Sequence, residues 1–177
     1  MQKINPTLIL FFLPFCLLLG LSGCQPAQTT STSPSKPALV WQVQVSGYEI
    51  KDNLSSVEAV TQYDGSKIDV KHNQSPQAGS VYVIINVTVT KTGTQSATPF
   101  EWKWLVIKDA AGNTYNRLAN DTFLDLYKYT PRITGLQLRL GEYKGWMCYE
   151  IPAAAAKGAI SLVYTGEGSQ QELVVQK

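Results

Sequence analysis

Alternation of apolar and polar residues is the strongest signal along this chain. Between Val81 and Thr90, the side chains of Val81, Val83, Ile85, Val87 and Val89 fall on one side of an extended backbone. Tyr82, Asn86, Thr88 and Thr90 fall on the other, with Ile84 among them. A repeat of two is that of a β-strand, whose successive side chains point to opposite faces. The same pattern places Trp41, Val43 and Val45 opposite Gln42 and Gln44, and in Phe100–Ile107 it sets Phe100, Trp102, Trp104 and Val106 on one face, with Leu105 and Ile107 on the other, so that the second half is expected to be covered on both sides. It returns in Thr114–Leu118, at Leu136, Leu138 and Leu140, in Trp146–Ile151, and in Ile160–Tyr164 and Glu172–Val175. In Trp146–Ile151 the expected inward residues are Met147, Tyr149 and Ile151, which leaves Trp146 and Cys148 facing outward.

Turn residues separate these runs. Lys91-Thr92-Gly93, Asp109–Asn113 with Gly112 suited to a positive φ, Gly141-Glu142 and Gly166–Ser169 all have turn composition. Ser55-Ser56-Val57-Glu58 has the form of a helix capping box. The pair Asp64-Gly65 equally suits a hairpin between Val57–Tyr63 and Lys67–Lys71, and the hairpin is preferred. Asn120–Thr134, rich in Phe, Leu and Tyr, reads as a loop or a short helical turn, and Ala153–Ala156 as one helical turn ending at Gly158. Many short strands without a long helical pattern predict an all-β fold, an antiparallel β-sandwich, with a small closed barrel as the alternative.

The first residues follow a different pattern. An apolar run from Leu8 to Leu21 follows Lys3 and is interrupted by Pro14 and Gly20. It is shorter than the roughly 20 residues of a spanning helix and has the layout of a secretory signal peptide. Its last residues, Leu21-Ser22-Gly23-Cys24, resemble the lipobox of bacterial lipoprotein precursors. That resemblance implies a diacylglyceryl group on the Cys24 sulfur, cleavage of the Gly23–Cys24 bond, and lipidated (palmitate-type) attachment to the membrane. Gln25–Pro37, built from Gln, Thr, Ser, Pro and Ala with one charge at Lys36, is expected to be a disordered tether. At ~3 Å per residue it reaches about 40 Å. The expected organisation is a signal peptide at 1–23, lipidated Cys24 and tether at 24–38, and the β-sandwich domain at 39–177.

Composition narrows the function. Fifteen basic against thirteen acidic side chains give +2, without the basic surplus of a nucleic-acid binder. Of three cysteines, Cys16 lies in the apolar segment and Cys24 at the lipid site, so Cys148 has no partner for a disulfide and is expected to be a packed structural thiol.

Four phrases then occur in series. They are Gly79-x-x-Tyr82-Val83-Ile84-Ile85-Asn86-Val87-Thr88-Val89, Ile107–Tyr115, Leu138-x-Leu140-Gly141-Glu142, and Gly145-x-x-x-Tyr149-Glu150-Ile151-Pro152. In order and spacing, over about Gly79 to Tyr164, they resemble a family of uncharacterised immunoglobulin-like domains common in bacterial lipoproteins. Lys91 and Leu140 stand where that family often has Asn and Pro. The resemblance implies an immunoglobulin-like sandwich and no catalytic residues.

Candidate chemistry is sparse. His72, the only histidine, lies in the polar run Lys71–Pro76 and reads as a solvated loop residue; one His cannot supply a three-histidine zinc site. Asp121 with Asp125, and Glu142 with Glu150, are the nearest carboxylate pairs for glycoside hydrolysis, with a plain surface as the simpler reading. Arg117, Lys128, Arg132, Arg139 and Lys144 around these acids likewise read as a mixed surface. Trp102 and Trp104 are expected in the core, and Trp146 is the exposed aromatic candidate. No catalytic residue, cofactor or metal is expected. The resulting expectation is a lipid-anchored, non-enzymatic binding module on the extracytoplasmic face of a cell membrane, held by Cys24 and meeting a protein or cell-envelope partner. The alternatives are a glycan-acting envelope hydrolase and an accessory, chaperone-like subunit that captures a strand at a sheet edge.

Overall fold

Burial of the alternating apolar faces organises the domain. In the computed structural model, residues 40–92, 99–134, 137–138, 141–168 and 170–177 are described. Cys24 and the segments 1–23 and 25–38 lie outside them.

Strands β1 (Trp41–Lys51), β4 (Ser80–Lys91) and β9 (Glu142–Pro152) form one antiparallel sheet in the order β1-β4-β9. A second sheet has the order β11-β10-β6-β7, from β6 (Leu105–Asp109), β7 (Thr114–Asn116), β10 (Ile160–Tyr164) and β11 (Gln171–Gln176). Between β1 and β4 the chain forms a separate hairpin, β2 (Leu54–Thr61) and β3 (Lys67–Gln74). The two-residue strands β5 (Phe100–Glu101) and β8 (Gln137–Leu138) pair with each other.

The inner faces of the two sheets meet in one core. Val83, Ile85, Val87, Met147, Tyr149 and Ile151 from the first sheet pack with Leu105, Ile107, Ile160, Leu162 and Tyr164 from the second. Each such aliphatic side chain contributes about 1.5–3 kcal/mol on burial. The Tyr149 hydroxyl enters this core and donates to the Leu105 carbonyl at 3.0 Å. Where the edge strands β1 and β11 approach, the Gln171 side chain supplies the missing ladder bonds. Its Nε2 donates to Trp41 O at 2.6 Å and its Oε1 accepts from Val43 N at 3.0 Å. The chain is therefore an antiparallel β-sandwich with the immunoglobulin-like order of three strands over four. The preferred hairpin at Asp64-Gly65 is present, with Gly65 at φ +83°.

Three expectations are corrected. Phe100–Ile107 is not one strand. A 3-10 turn at Trp102–Trp104 separates β5 from β6. A turn with an i→i+3 repeat does not preserve strand alternation, so Leu105 and Ile107, rather than Val106, face the core. The other segment is Lys71–Gln74: it belongs to β3, but these four residues are all polar, show no apolar alternation, and so resemble a loop in sequence. The last concerns the outer face of β1-β4-β9, which is not simply solvent-facing. Tyr82, Ile84 and Cys148 are buried beneath Leu54, Leu124 and Tyr129, and Leu118, Phe123, Tyr127 and Trp146 pack around them. The cover comes from the connection between β7 and β8, which carries a 3-10 helix at Thr122–Tyr127.

Candidate functional site

The β7–β8 connection is attached to β9 by its backbone. Leu118 N donates to Cys148 O, Trp146 N to Pro131 O and Ile133 N to Trp146 O, each at 2.9 Å. Gly145 lets Pro131 and Ile133 approach: a Cβ there would lie 2.9 Å from the Ile133 Cδ1 and Pro131 O atoms.

This docking gathers four charged residues that were expected on a mixed surface. Asp121 is 2% exposed in its side chain, while Arg117 and Arg132 are 15% and 14% exposed. Arg117 Nε donates to Asp121 Oδ2 at 3.0 Å and Nη2 to Oδ1 at 3.1 Å, a two-point fork. Arg132 Nη1 donates to Asp121 Oδ1 at 3.2 Å, and its Nε to Asp125 Oδ2 at 3.2 Å. Both guanidiniums also donate to the Ile133 carbonyl, Arg117 at 2.5 Å and Arg132 at 3.5 Å. A buried charge is tolerated when it is paired and hydrogen-bonded, and Asp121 meets both conditions.

Beside this network lies a cleft of about 240 Å³. Arg117, Asp121 and Arg132 line it together with Trp102 and Lys103, and Asn116, Asn120, Thr122 and Thr134 add amide and hydroxyl groups. A second cavity, about 320 Å³, lies where the base of the β2–β3 hairpin meets Tyr127 and Tyr129. There Tyr129 donates to Glu49 Oε2 at 2.9 Å. Burial first, and then this carboxylate, push the Tyr129 phenol above its ordinary pKa.

The other candidate residues are dispersed. His72 Nε2 lies 3.2 Å from Glu58 Oε2 on the hairpin and borders neither cavity. Glu142 and Glu150 lie eight residues apart on β9, about 26 Å at strand rise, far beyond the 5–9.5 Å of glycosidase pairs. Asp121 and Asp125 are held by arginines. The Asp109–Asn113 turn is closed by the Asp109 carboxylate. It accepts from Ala111 N, Asn113 N, Asn113 Nδ2 and the Tyr115 hydroxyl. The Asn113 side-chain bond first, and the others after it, draw the Asp109 pKa below its ordinary value. Trp102 is buried and Trp104 half-buried, both packed edge-on to Phe100, with centroids at 5.0 and 5.9 Å. Trp146 points outward from its sheet but is half-buried, edge-on to Tyr129 at 5.1 Å. Cys148 is fully buried, and burial raises its thiol pKa. Among the described residues, no cluster of three His, Cys, Asp or Glu side chains is placed to hold a metal. No helix there is long and apolar enough to cross a membrane.

No protein-family model and no curated protein matches the chain. Among solved structures, it is similar to a conserved hypothetical protein from Bacillus anthracis. That likeness has a TM-score of 0.50 at 14% identity, over 80% of this chain and 92% of the other. A second, an uncharacterised β-sandwich protein from Clostridium difficile, aligns with a TM-score of 0.41 at 11% identity, over 80% of this chain and 90% of its own. The first likeness extends to the fold alone, and both proteins are uncharacterised.

Proposed function

We propose that this chain is a membrane-anchored, extracytoplasmic lipoprotein whose sandwich is a non-catalytic binding module. The observation that carries the binding role is the cleft beside Arg117, Asp121 and Arg132. Its charged groups are fixed by mutual hydrogen bonds on a segment that is itself bonded to β9, as a recognition site requires. The lining offers hydroxyls and amides but no histidine or thiol to activate them. The anchor rests on Leu21–Cys24 and on the spacer composition of Gln25–Pro37.

A second reading has its own observation. Both outer edges of the β2–β3 hairpin lack a strand partner among the described residues, and Val57, Val60, Tyr63 and Ile68 on it are exposed. Unpaired edges are templates for strand addition, which fits an accessory subunit.

Photo-crosslinking in intact cells separates the two. A photoreactive residue at Asn120, on the cleft, is expected to give a discrete adduct, and one at Val57 none. Adducts at Val57 alone would favour strand capture, and none at either position would refute both. Anchoring is tested by a fatty-acid probe, whose incorporation is expected to vanish in Cys24→Ala.

A further inference from the structure

The hydrogen bonds of the two arginines leave a definite remainder. A guanidinium has five N–H donors. Arg117 uses Nε and Nη2, and Arg132 uses Nε and Nη1. Arg117 Nη1 and Arg132 Nη2 bond to no described residue. Neither is among the sealed polar atoms without a partner in the described residues, Trp41 Nε1 and Asn86 Oδ1. Both free nitrogens therefore reach solvent, and both side chains line the cleft. Asp121 and the Ile133 carbonyl fix the guanidiniums, so the spare donors are held in place before any ligand arrives.

From this remainder we infer that the cleft binds a carboxylate through Arg117 Nη1 and Arg132 Nη2. The inference deepens the binding-module reading and depends on it. Charge selects the class of anion. The lining carries Arg117, Arg132 and Lys103 against Asp121, whose carboxylate sits on the same two guanidiniums, while Asp125 also holds Arg132 and Glu101 holds Lys103. A singly charged carboxylate adds to these donors with modest repulsion from Asp121. A doubly charged phosphate doubles the attraction and the repulsion alike, but the cost of taking its charge out of water rises with the square of that charge, so the singly charged carboxylate is favoured. Size limits the ligand. The roughly 240 Å³ available falls below the 300–1,000 Å³ of drug-sized ligand sites. The occupant is therefore a small organic acid or the terminal residue of a peptide, with its neutral part facing Asn116, Thr122 and Thr134.

The test uses the isotopically labelled full chain and four probes: N-acetylglycine, its amide, inorganic phosphate and a triglycine peptide with a free carboxyl end. Backbone amide and Trp102 indole NMR signals report the cleft. N-acetylglycine is expected to shift them in a saturable way, the amide to leave them unmoved, and phosphate to act more weakly. A peptide acid that binds as well identifies a chain terminus, and one that is rejected identifies a free acid. Arg132→Gln is expected to weaken N-acetylglycine at least tenfold or so, the value of a charged hydrogen bond. Lys103→Gln, at the exposed rim and paired with Glu101, is expected to change it less than about threefold. If Arg132→Gln does not fold, the acid and amide compared on the unaltered chain decide alone. Equal shifts from acid and amide, tighter binding of phosphate, or no shift with acid at about ten times a millimolar Kd overturns the inference. Any of these leaves the Cys24 labelling and the Asn120 crosslink standing, so the two readings fail separately.

Discussion

Asp121→Asn is the most informative single change, because it alters charge at nearly constant shape. The carboxylate accepts from Arg117 through both oxygens and from Arg132 through Oδ1. An amide has one oxygen, so in either orientation its NH2 group faces a guanidinium donor. Removing one partner from a buried ion pair costs about 3–5 kcal/mol. Here the arginines are about one-seventh exposed and keep the Ile133 carbonyl, and Arg132 keeps Asp125. The expected loss is therefore somewhat below that range, about 2–3 kcal/mol, or a Tm lower by roughly 10 °C for a domain of this size. Equilibrium urea unfolding followed by tryptophan fluorescence measures it, with the slope m unchanged. A double-mutant cycle with Arg117→Gln isolates the pair and is expected to show coupling above about 1 kcal/mol. Glu58→Gln, which breaks the exposed pair with His72, serves as the control at about 0–1 kcal/mol. A loss below about 1 kcal/mol at Asp121, or no coupling to Arg117, would show that these charges are solvated, and with that the fixed cleft would go.

Other outcomes follow from the packing. Cys148 is buried with its thiol pKa raised by desolvation, so it is expected to resist thiol reagents in the native chain and react fully in urea. Gly145→Ala, whose Cβ would press on Ile133 Cδ1 and Pro131 O, is expected to lose about 1–3 kcal/mol by overpacking, read by the same urea titration. Burial pushes Tyr164 up to about 12 from 10.0; its contribution is whole below pH 10 and is lost as pH rises through 12, so thermal stability is expected to fall across that window. Joining Ser55 to Asn73, which face each other across the hairpin, is expected to remove residues 56–72 without loss of cooperative unfolding, since the inner core takes nothing from them.

The sandwich was legible where one face of a strand is apolar and the other polar. The inward sets of Val81–Val89 and Trp41–Val45 pack into the main core as their alternation predicts. Legibility failed where an element obeys another rule. Phe100–Trp104 alternates in sequence and Leu105–Ile107 is apolar throughout, so nothing marks the turn at Trp102–Trp104 that shifts the register, and a one-residue shift exchanges the faces. The outer-face burial left a trace, since Tyr82 and Ile84 are large apolar residues on a side assigned to solvent. Their complement, Phe123, Leu124 and Tyr129, lies in a segment without periodicity, so nothing local connects the two. The site was hidden for the same reason. Arg117, Asp121 and Asp125 follow one another at intervals of four, a spacing that pairs charges on a helix. Here the contacts depend on a non-repetitive loop laid across β9.

That dependence joins fold to function. Trp146, in the middle of β9, exchanges backbone bonds with Pro131 and Ile133, and the Ile133 carbonyl receives both arginines. The arginines bind Asp121, and all three line the cleft. Each link is a hydrogen bond, and the series is anchored on a strand whose other face lies in the main core. The apolar cover over Tyr82, Ile84 and Cys148 holds the same segment from beneath. A loop attached in these two ways gives up its freedom on folding rather than on binding, and a ligand then meets donors already in place. The outer-face cluster, which looks like a second core, is in this reading the support of the cleft. A substitution such as Leu124→Ala would then loosen Arg117 and Arg132 without touching them.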